Sequence, residues 1–413
     1  MVKCLSKKIL IVALSLLLAA IFSVSAFAEV PYESYTYWSD VGDGNKAVYN
    51  RPMYSAEYNI DTGSLDIADF SKIRDISFDS EDNLYILDST SRIVVLDKDY
   101  NLVRELGAIG GSETYNDAAG VYIGPDNTLY VCDTEGHRIL HATADGSLIN
   151  IITLPESNLI PDDFDFRPTN MAIDEYGYTY ILSDGSYYGA LLYDADMEFL
   201  GFYGANTVTA TIGSVFSNII NRIFPNNAKK ENSAKRLPFC FVDLAIDDKG
   251  FIYTSTGYTD KERKGQVRKL GPGLGNNILG SDDISFVDTK INTSYNSGAV
   301  SKQDIFDIEV DNNGFVYGLE SAFGKVFVYD PACRILSVFG GGMGFGTQLG
   351  NFVTVSALAI KGGGSEVLVA DGSTNKITVF KITEFGSKVK ELIALTIKGD
   401  YEGAKPGWEE VLS

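Results

Sequence analysis

The sequence predicts an all-β fold, a six-bladed β-propeller, followed by a short α-helical pair. Three observations predict it. A block of four short strands recurs six times at blade length. A turn rich in Asp, Asn and Gly precedes the same apolar strand in each copy. After Thr383 the apolar spacing changes from a strand period to a helical one.

Composition narrows the function before any motif does. The chain has 413 residues, 55 acidic against 34 basic side chains, and a formal net charge of −21. A hydrophobic fraction of 45% with 12% aromatic residues excludes a disordered chain, and 41 glycines fit a fold with many turns. The acidic balance argues against nucleic acid as a partner, because phosphates recruit Lys and Arg patches. Only two histidines are present, which limits any mechanism that needs imidazole.

Residues 1–28 read as a secretory signal peptide. Lys3, Lys7 and Lys8 precede an apolar run from Ile9 to Phe22, and Ala26-Phe27-Ala28 is a small-residue cleavage signal. The run is short for a membrane span, although an uncleaved anchor is the competing reading. Cleavage would start the mature chain at Glu29, remove three lysines and leave Cys132, Cys240 and Cys333. An odd, scattered set of cysteines is not a disulfide framework, so these read as small buried side chains. Residues 29–53 form a tyrosine-rich leader.

The repeats occupy residues 54–382. The first runs Ile73 to Asp79, turns at Ser80 to Asn83, and continues through Leu84 to Asp88, Arg92 to Asp97 and Leu102 to Gly107. Its second strand recurs with a tyrosine at 85, 130, 180, 253 and 317, and with Leu368 in the sixth copy. The sixth repeat lacks a fourth strand of its own. An open ring would leave an unpaired edge, which natural sheets avoid. Residues 54–60 have strand character and are predicted to pair with residues 376–382, joining the two ends of the ring.

Two insertions interrupt the blades. In residues 205–236, Val215, Phe216, Ile219, Ile220, Ile223 and Phe224 recur at helical spacing before Pro225. This reads as a helix on a propeller face or as a lid, with a basic loop after it. Residues 272–303 form a second long connection. The glycine-rich stretch Gly340 to Gly346 joins two blades and does not open a helix, so it reads as an inter-blade loop and not a nucleotide loop. Residues 383–413 close the chain with a helical pair turning at Gly399 to Tyr401. Pro406 is awkward in the second helix unless it lies in its first turn.

The repeats resemble the NHL family, in which an apolar strand ends in Asp, a turn follows, and Arg-Ile opens the next strand. Asp133-Thr134-Glu135-Gly136-His137-Arg138-Ile139 matches best, Asp88 to Ile93 follows closely, and Asp371 to Ile377 is a Lys variant. Blades three to five depart from the motif. Arg92 and Arg138 read as braces against Asp88 and Asp133. The tail resembles a tetratricopeptide (TPR) helix pair, an incomplete array, since such pairs normally stack in threes or more. The whole arrangement resembles secreted bacterial proteins that join a tyrosine-rich leader, an NHL-type propeller and TPR helices, some of which continue into Yip-family membrane segments. That resemblance implies a cell-envelope assembly or sensing role and no defined reaction.

The first strand of each blade lines the central channel. Aligned there, the six blades contribute Asp75, Gly120, Asn170, Asp243, Asp307 and Ala357. Three readings are open for Asp75, Asn170, Asp243 and Asp307: a metal site, caps on backbone amides of adjacent strands, or a wet polar channel. An all-oxygen set suits Ca²⁺. Calcium-dependent six-bladed lactonases use a similar oxygen ring, which would make one aspartate a general base and the ion a Lewis acid. The zinc lyases of the NHL type hold their metal through several histidines. His137 and His141, both in one blade, do not supply such a set.

The expected role is thus a secreted binding and scaffolding module. A propeller face would take a protein, peptide or glycan, with Tyr187, Tyr188 and Phe345 as candidate contacts, and the helical tail would recruit an envelope protein. The alternative is a calcium-dependent lactone or ester hydrolase centred on the ring.

Overall fold

The structure is a computed structural model and describes residues 36–39, 46–115, 117–162, 164–186, 188–204, 240–256, 265–271, 286–288, 304–341 and 348–412. The chain opens with a hairpin of β1 (Thr36–Ser39) and β2 (Lys46–Tyr49), then β3 (Tyr54–Ile60) and a single helical turn, α1 (Thr62–Leu65). Blade one is β4 (Ile73–Phe78), β5 (Leu84–Asp88), β6 (Arg92–Leu96) and β7 (Leu102–Leu106). Blade two is β8 (Gly120–Ile123), β9 (Leu129–Asp133), β10 (Arg138–Ala142) and β11 (Leu148–Thr153). Blade three is β12 (Pro168–Ile173), β13 (Thr179–Ser183), β14 (Ala190–Tyr193) and β15 (Phe199–Tyr203). Blade four holds β16 (Phe241–Ile246), β17 (Ile252–Thr256) and β18 (Val267–Leu270). Blade five is β19 (Ile305–Val310), β20 (Val316–Glu320), β21 (Lys325–Tyr329) and β22 (Ile335–Gly340). Blade six has β23 (Val355–Lys361), β24 (Glu366–Asp371) and β25 (Lys376–Ile382). Each blade is an antiparallel meander, and together they form the six-bladed propeller.

Blade four shows three strands among the described residues, and the stretch after β18 that the four-strand expectation falls on lies outside them. Residues 205–236 and most of 272–303 lie outside the described residues, as do residues 1–28, Tyr187 and Phe345. The ring closes as the sixth repeat demanded. β3 pairs with β25 from Ile377↔Ile60 to Ile382↔Tyr54 and supplies the outer strand of blade six.

Burial follows from stacking sheets face to face. The second strand of blades one to five is buried at every position, because neighbouring blades cover both faces. The outer strand β7 is largely exposed and carries Arg104 and Glu105. The core therefore lies between blades. Ile73, Ile76, Leu84 and Ile86 of blade one meet Ala357, Leu368 and Val379 of blade six in one such cluster.

The repeated turns explain part of the acidic composition. Asp79 accepts the amides of Glu81 at 2.9 Å and Asn83 at 2.8 Å. Asp97, Asp174, Asp194, Asp247, Asp311 and Asp330 repeat this cap at two and four residues on. Tyr253 and Tyr317 of the second strands donate to the same carboxylates, at 3.1 and 3.3 Å.

The leader hairpin is fastened near blade five. The Trp38 amide donates to Asp288, which also pairs with Lys325, both at 2.7 Å. Two helices end the chain, α2 (Glu384–Ile397) and α3 (Tyr401–Leu412), with Gly399 left-handed at φ 84° between them. The Thr383 hydroxyl caps α2 by accepting the Gly386 amide at 3.0 Å. Pro406 sits inside α3, beyond its first turn. Val389, Leu392 and Ile393 pack with Met53, Tyr54 and Phe380, so the pair docks on the propeller. Lys390 anchors it, reaching Asp311 at 2.5 Å, the Tyr317 hydroxyl at 2.9 Å and the Gly363 carbonyl at 3.1 Å.

Candidate functional site

The inner strands bring Asp75, Asn170, Asp243 and Asp307 to one cavity of about 430 Å³, lined by all six blades. A bulge sets each position. Pairing between the first two strands skips one residue before Asp75, Asn170, Asp243, Asp307 and Ala357 alike. The skipped residues are Arg74, Thr169, Val242, Phe306 and Ser356, so a bulge in five blades turns the next side chain in the same way.

What those side chains hold is largely backbone. Asp75 accepts the Val121 amide of blade two at 2.7 Å, Asp243 the Ile308 amide of blade five at 2.7 Å, and Asp307 the Leu358 amide of blade six at 2.8 Å. Each acceptor thus reaches the residue after the ring position of the following blade. The exceptions obey the same logic. Gly120 and Ala357 have nothing to offer their successors. There the amides of Met171 and Ile76 are taken by the side chains beside them, Asn170 at 2.6 Å and Asp75 at 2.8 Å. Asn170 instead gives its amide nitrogen to Asp243. The geometry is that of the amide-capping reading.

Glycine at position 120 is a steric requirement. A Cβ there would lie 2.3 Å from the Thr169 carbonyl oxygen, so blades two and three approach backbone to backbone.

The ring is also electrostatically loaded. Burial, first, and the Asp243 charge raise Asp75 to about 7. Burial raises Asp243 to about 6 against the bonds it accepts. Asp307 is held well above the carboxylate range by burial and by the charges of Asp243, Asp75 and Glu309. Glu309 belongs to this group, raised to about 8 by burial and then by Asp243 and Asp75. The sequence alignment of the ring missed it. The available signal was its place two residues beyond Asp307, on the same face of β19. No Lys, Arg or His lines the cavity among the described residues. Nor, among those residues, do three His, Cys, Asp or Glu side chains group so as to hold a metal ion.

The remaining candidates divide. Arg92 pairs with Asp88 at 2.8 Å and Arg138 with Asp133 at 2.9 Å, as braces do. Both also donate to loop carbonyls, Arg92 to Ala68 and Arg138 to Thr114. Tyr188 packs between Phe164 and Phe202 at 6.1 and 5.3 Å. His137 bonds the Phe166 carbonyl at 2.9 Å, whereas His141 stacks on Tyr130 at 4.1 Å and bonds Thr128.

Comparison with known proteins bears on the fold. The NHL repeat profile matches residues 115–141, which spans the Asp133 to Ile139 motif. No curated protein matches the chain. Among solved structures, a streptogramin B lyase is similar with a TM-score of 0.49 at 10% identity, covering 80% of this chain and 98% of its own. The virginiamycin B lyase from Staphylococcus aureus has a TM-score of 0.43 at 10% identity, covering 80% and 100%. A gluconolactonase from Xanthomonas campestris has a TM-score of 0.43 at 11% identity, covering 76% and 87%. Likenesses of this order say nothing of a shared substrate or reaction.

Proposed function

We propose that this NHL-repeat propeller is a secreted, extracytoplasmic binding and scaffolding module. A propeller face binds a protein, peptide or glycan, and the TPR-like helical tail recruits an envelope protein. One observation carries the reading: the ring side chains are engaged in stitching one blade to the next. A ring so used supports a rigid platform. The signal-like residues 1–28 support the location, and the docked helices support the second attachment. On those helices Ile397 and Tyr401 are 58% and 68% exposed. Capture from native cell-envelope fractions with the intact chain tests this reading. A partner retained by wild type and by Val353→Lys but lost with Tyr401→Asp is the expected result. Identical capture by all three would sink the role of the tail.

The calcium-dependent hydrolase is the second reading, favoured by the mutual repulsion of Asp75, Asp243, Asp307 and Glu309 around one cavity. A divalent cation would relieve that repulsion. Its test is calorimetric titration of Ca²⁺ into wild type and Asp243→Asn. The scaffold reading expects no binding heat from either. Saturable heat from wild type that Asp243→Asn abolishes would move the assignment to the hydrolase.

A further inference from the structure

Five blades end, among the described residues, in a fourth, outer strand whose open side is a row of backbone groups free to pair, and these strands guard that side differently. β7 carries Arg104 and Glu105, and β3 carries Glu57. β22 is met by the leader, where Asn50 donates to Ser337 at 2.8 Å. β15 is uncharged, but its last three residues are buried. β11 is the exception: Leu-Ile-Asn-Ile-Ile-Thr has no charge, and all but Ile151 and Ile152 are exposed. Leu148, Ile149 and the following Leu154 expose 38%, 49% and 37% of their surface. A strand of this composition on an edge is a template for another strand.

Two details mark the edge as ready to pair. The Ile151 amide is not in the ladder with β10 but is taken by the Asn150 side chain at 2.8 Å. That carboxamide holds a donor which an incoming carbonyl would take. The N-terminal end of β11 also opens onto a groove of about 530 Å³, lined by Glu105, Leu106, Gly107, Asp145, Gly146 and Leu148. Among the described residues no basic one lines it, although Arg92 faces Glu105 at 3.5 Å and Arg104 is near Asp145.

We propose that β11 accepts an extended, β-branched segment of a basic partner as a fifth strand of blade two. Main-chain bonds to the open edge give the affinity, and apolar side chains pack on Leu148, Ile149 and Leu154. Charge selects the occupant. A second copy of a chain with net charge −21 is repelled, whereas a cationic segment is drawn in and can place a basic side chain in the acidic groove. The site lies on the rim, apart from the channel and the helical tail, and does not depend on the role proposed for them.

The probe is a short synthetic peptide of alternating lysine and valine, added to the full chain at physiological ionic strength and followed by hydrogen exchange. It should slow exchange of the amides of Ile149 to Thr153 by about tenfold or more. Replacing its central valines with proline, or Ile149→Lys in the protein, should weaken binding by about tenfold. Val353→Lys, remote from the edge, should leave it unchanged. Equal binding of the proline peptide, protection elsewhere or no binding overturns the proposal. Protection without peptide that grows with protein concentration would show a second copy on the edge, and also overturns it.

Discussion

At the scale of single residues, the ring is a device for satisfying backbone amides at a place where six sheets converge. An unpaired buried amide costs about 1–3 kcal/mol, so the side chain at each ring position is constrained by its neighbour's backbone. Gly120 shows the constraint from the other side. The 2.3 Å approach of its virtual Cβ to the Thr169 carbonyl leaves no flexible atom to move aside. Gly120→Ala should therefore destabilise the protein by about 1–3 kcal/mol in urea denaturation. An unchanged midpoint would mean that blades two and three separate freely. The ring positions were legible in the sequence because each precedes the repeated apolar residue of an inner strand. Glu309 was not, because the matching position is alanine in three blades, Ala172, Ala245 and Ala359, and a lone acid breaks no pattern. The bulge left a mark that a period of two passes over: the buried apolar residues on either side of it stand three apart, as Ile73 and Ile76 or Ile305 and Ile308 do, where a plain strand keeps them two apart.

At the scale of elements, the docking of α2 rests on one buried cation. Lys390 meets a carboxylate, a hydroxyl and a carbonyl, and the Asp311 side chain it faces is fully buried. Removing one partner of such a pair leaves an uncompensated charge, so Lys390→Met should cost about 3–5 kcal/mol. Adding Asp311→Asn keeps an oxygen for the amides of Asn313 and Phe315 and removes the stranded charge. The double variant should recover at least about 1 kcal/mol, measured as a double-mutant cycle in denaturant. Simple additivity would show that the two side chains do not act as a pair. The helix itself was legible from Val389, Leu392 and Ile393. Its anchor was not, because a lysine among apolar positions reads as a solvated side chain until the fold places Asp311 opposite it.

At the scale of the whole molecule, acids with raised affinity for protons outweigh the rest above the ordinary carboxylate range. Asp75 and Asp243 stand at about 7 and 6, Glu309 at about 8, and Glu320, buried in blade five, at about 7. Free carboxylates titrate near 4, so between roughly pH 4 and pH 8 the folded chain binds more protons than the unfolded one. The stability contributed by these groups is complete below the unfolded value and is lost as pH rises through the folded values. Asp97 and Glu135 act in the opposite sense, but only where pH falls through their lowered values. The melting temperature should accordingly fall from pH 5 to pH 8 in scanning calorimetry, and Glu309→Gln should flatten the slope. A rise over that range would show that the channel acids are not protonated in the fold.

The pairing of β3 with β25 also has a meaning in time. Ile60 leaves the ribosome early, and its partner Ile377 emerges only after all five intervening blades. Blade six has no outer strand of its own to use meanwhile. Individual blades can form as they appear, but the circle cannot close before the last repeat has emerged, because bringing its ends together waits for that repeat. The ring is thus completed only once the strand at Ile377 is available, and until then the nascent chain remains an open arc with one strand held in reserve.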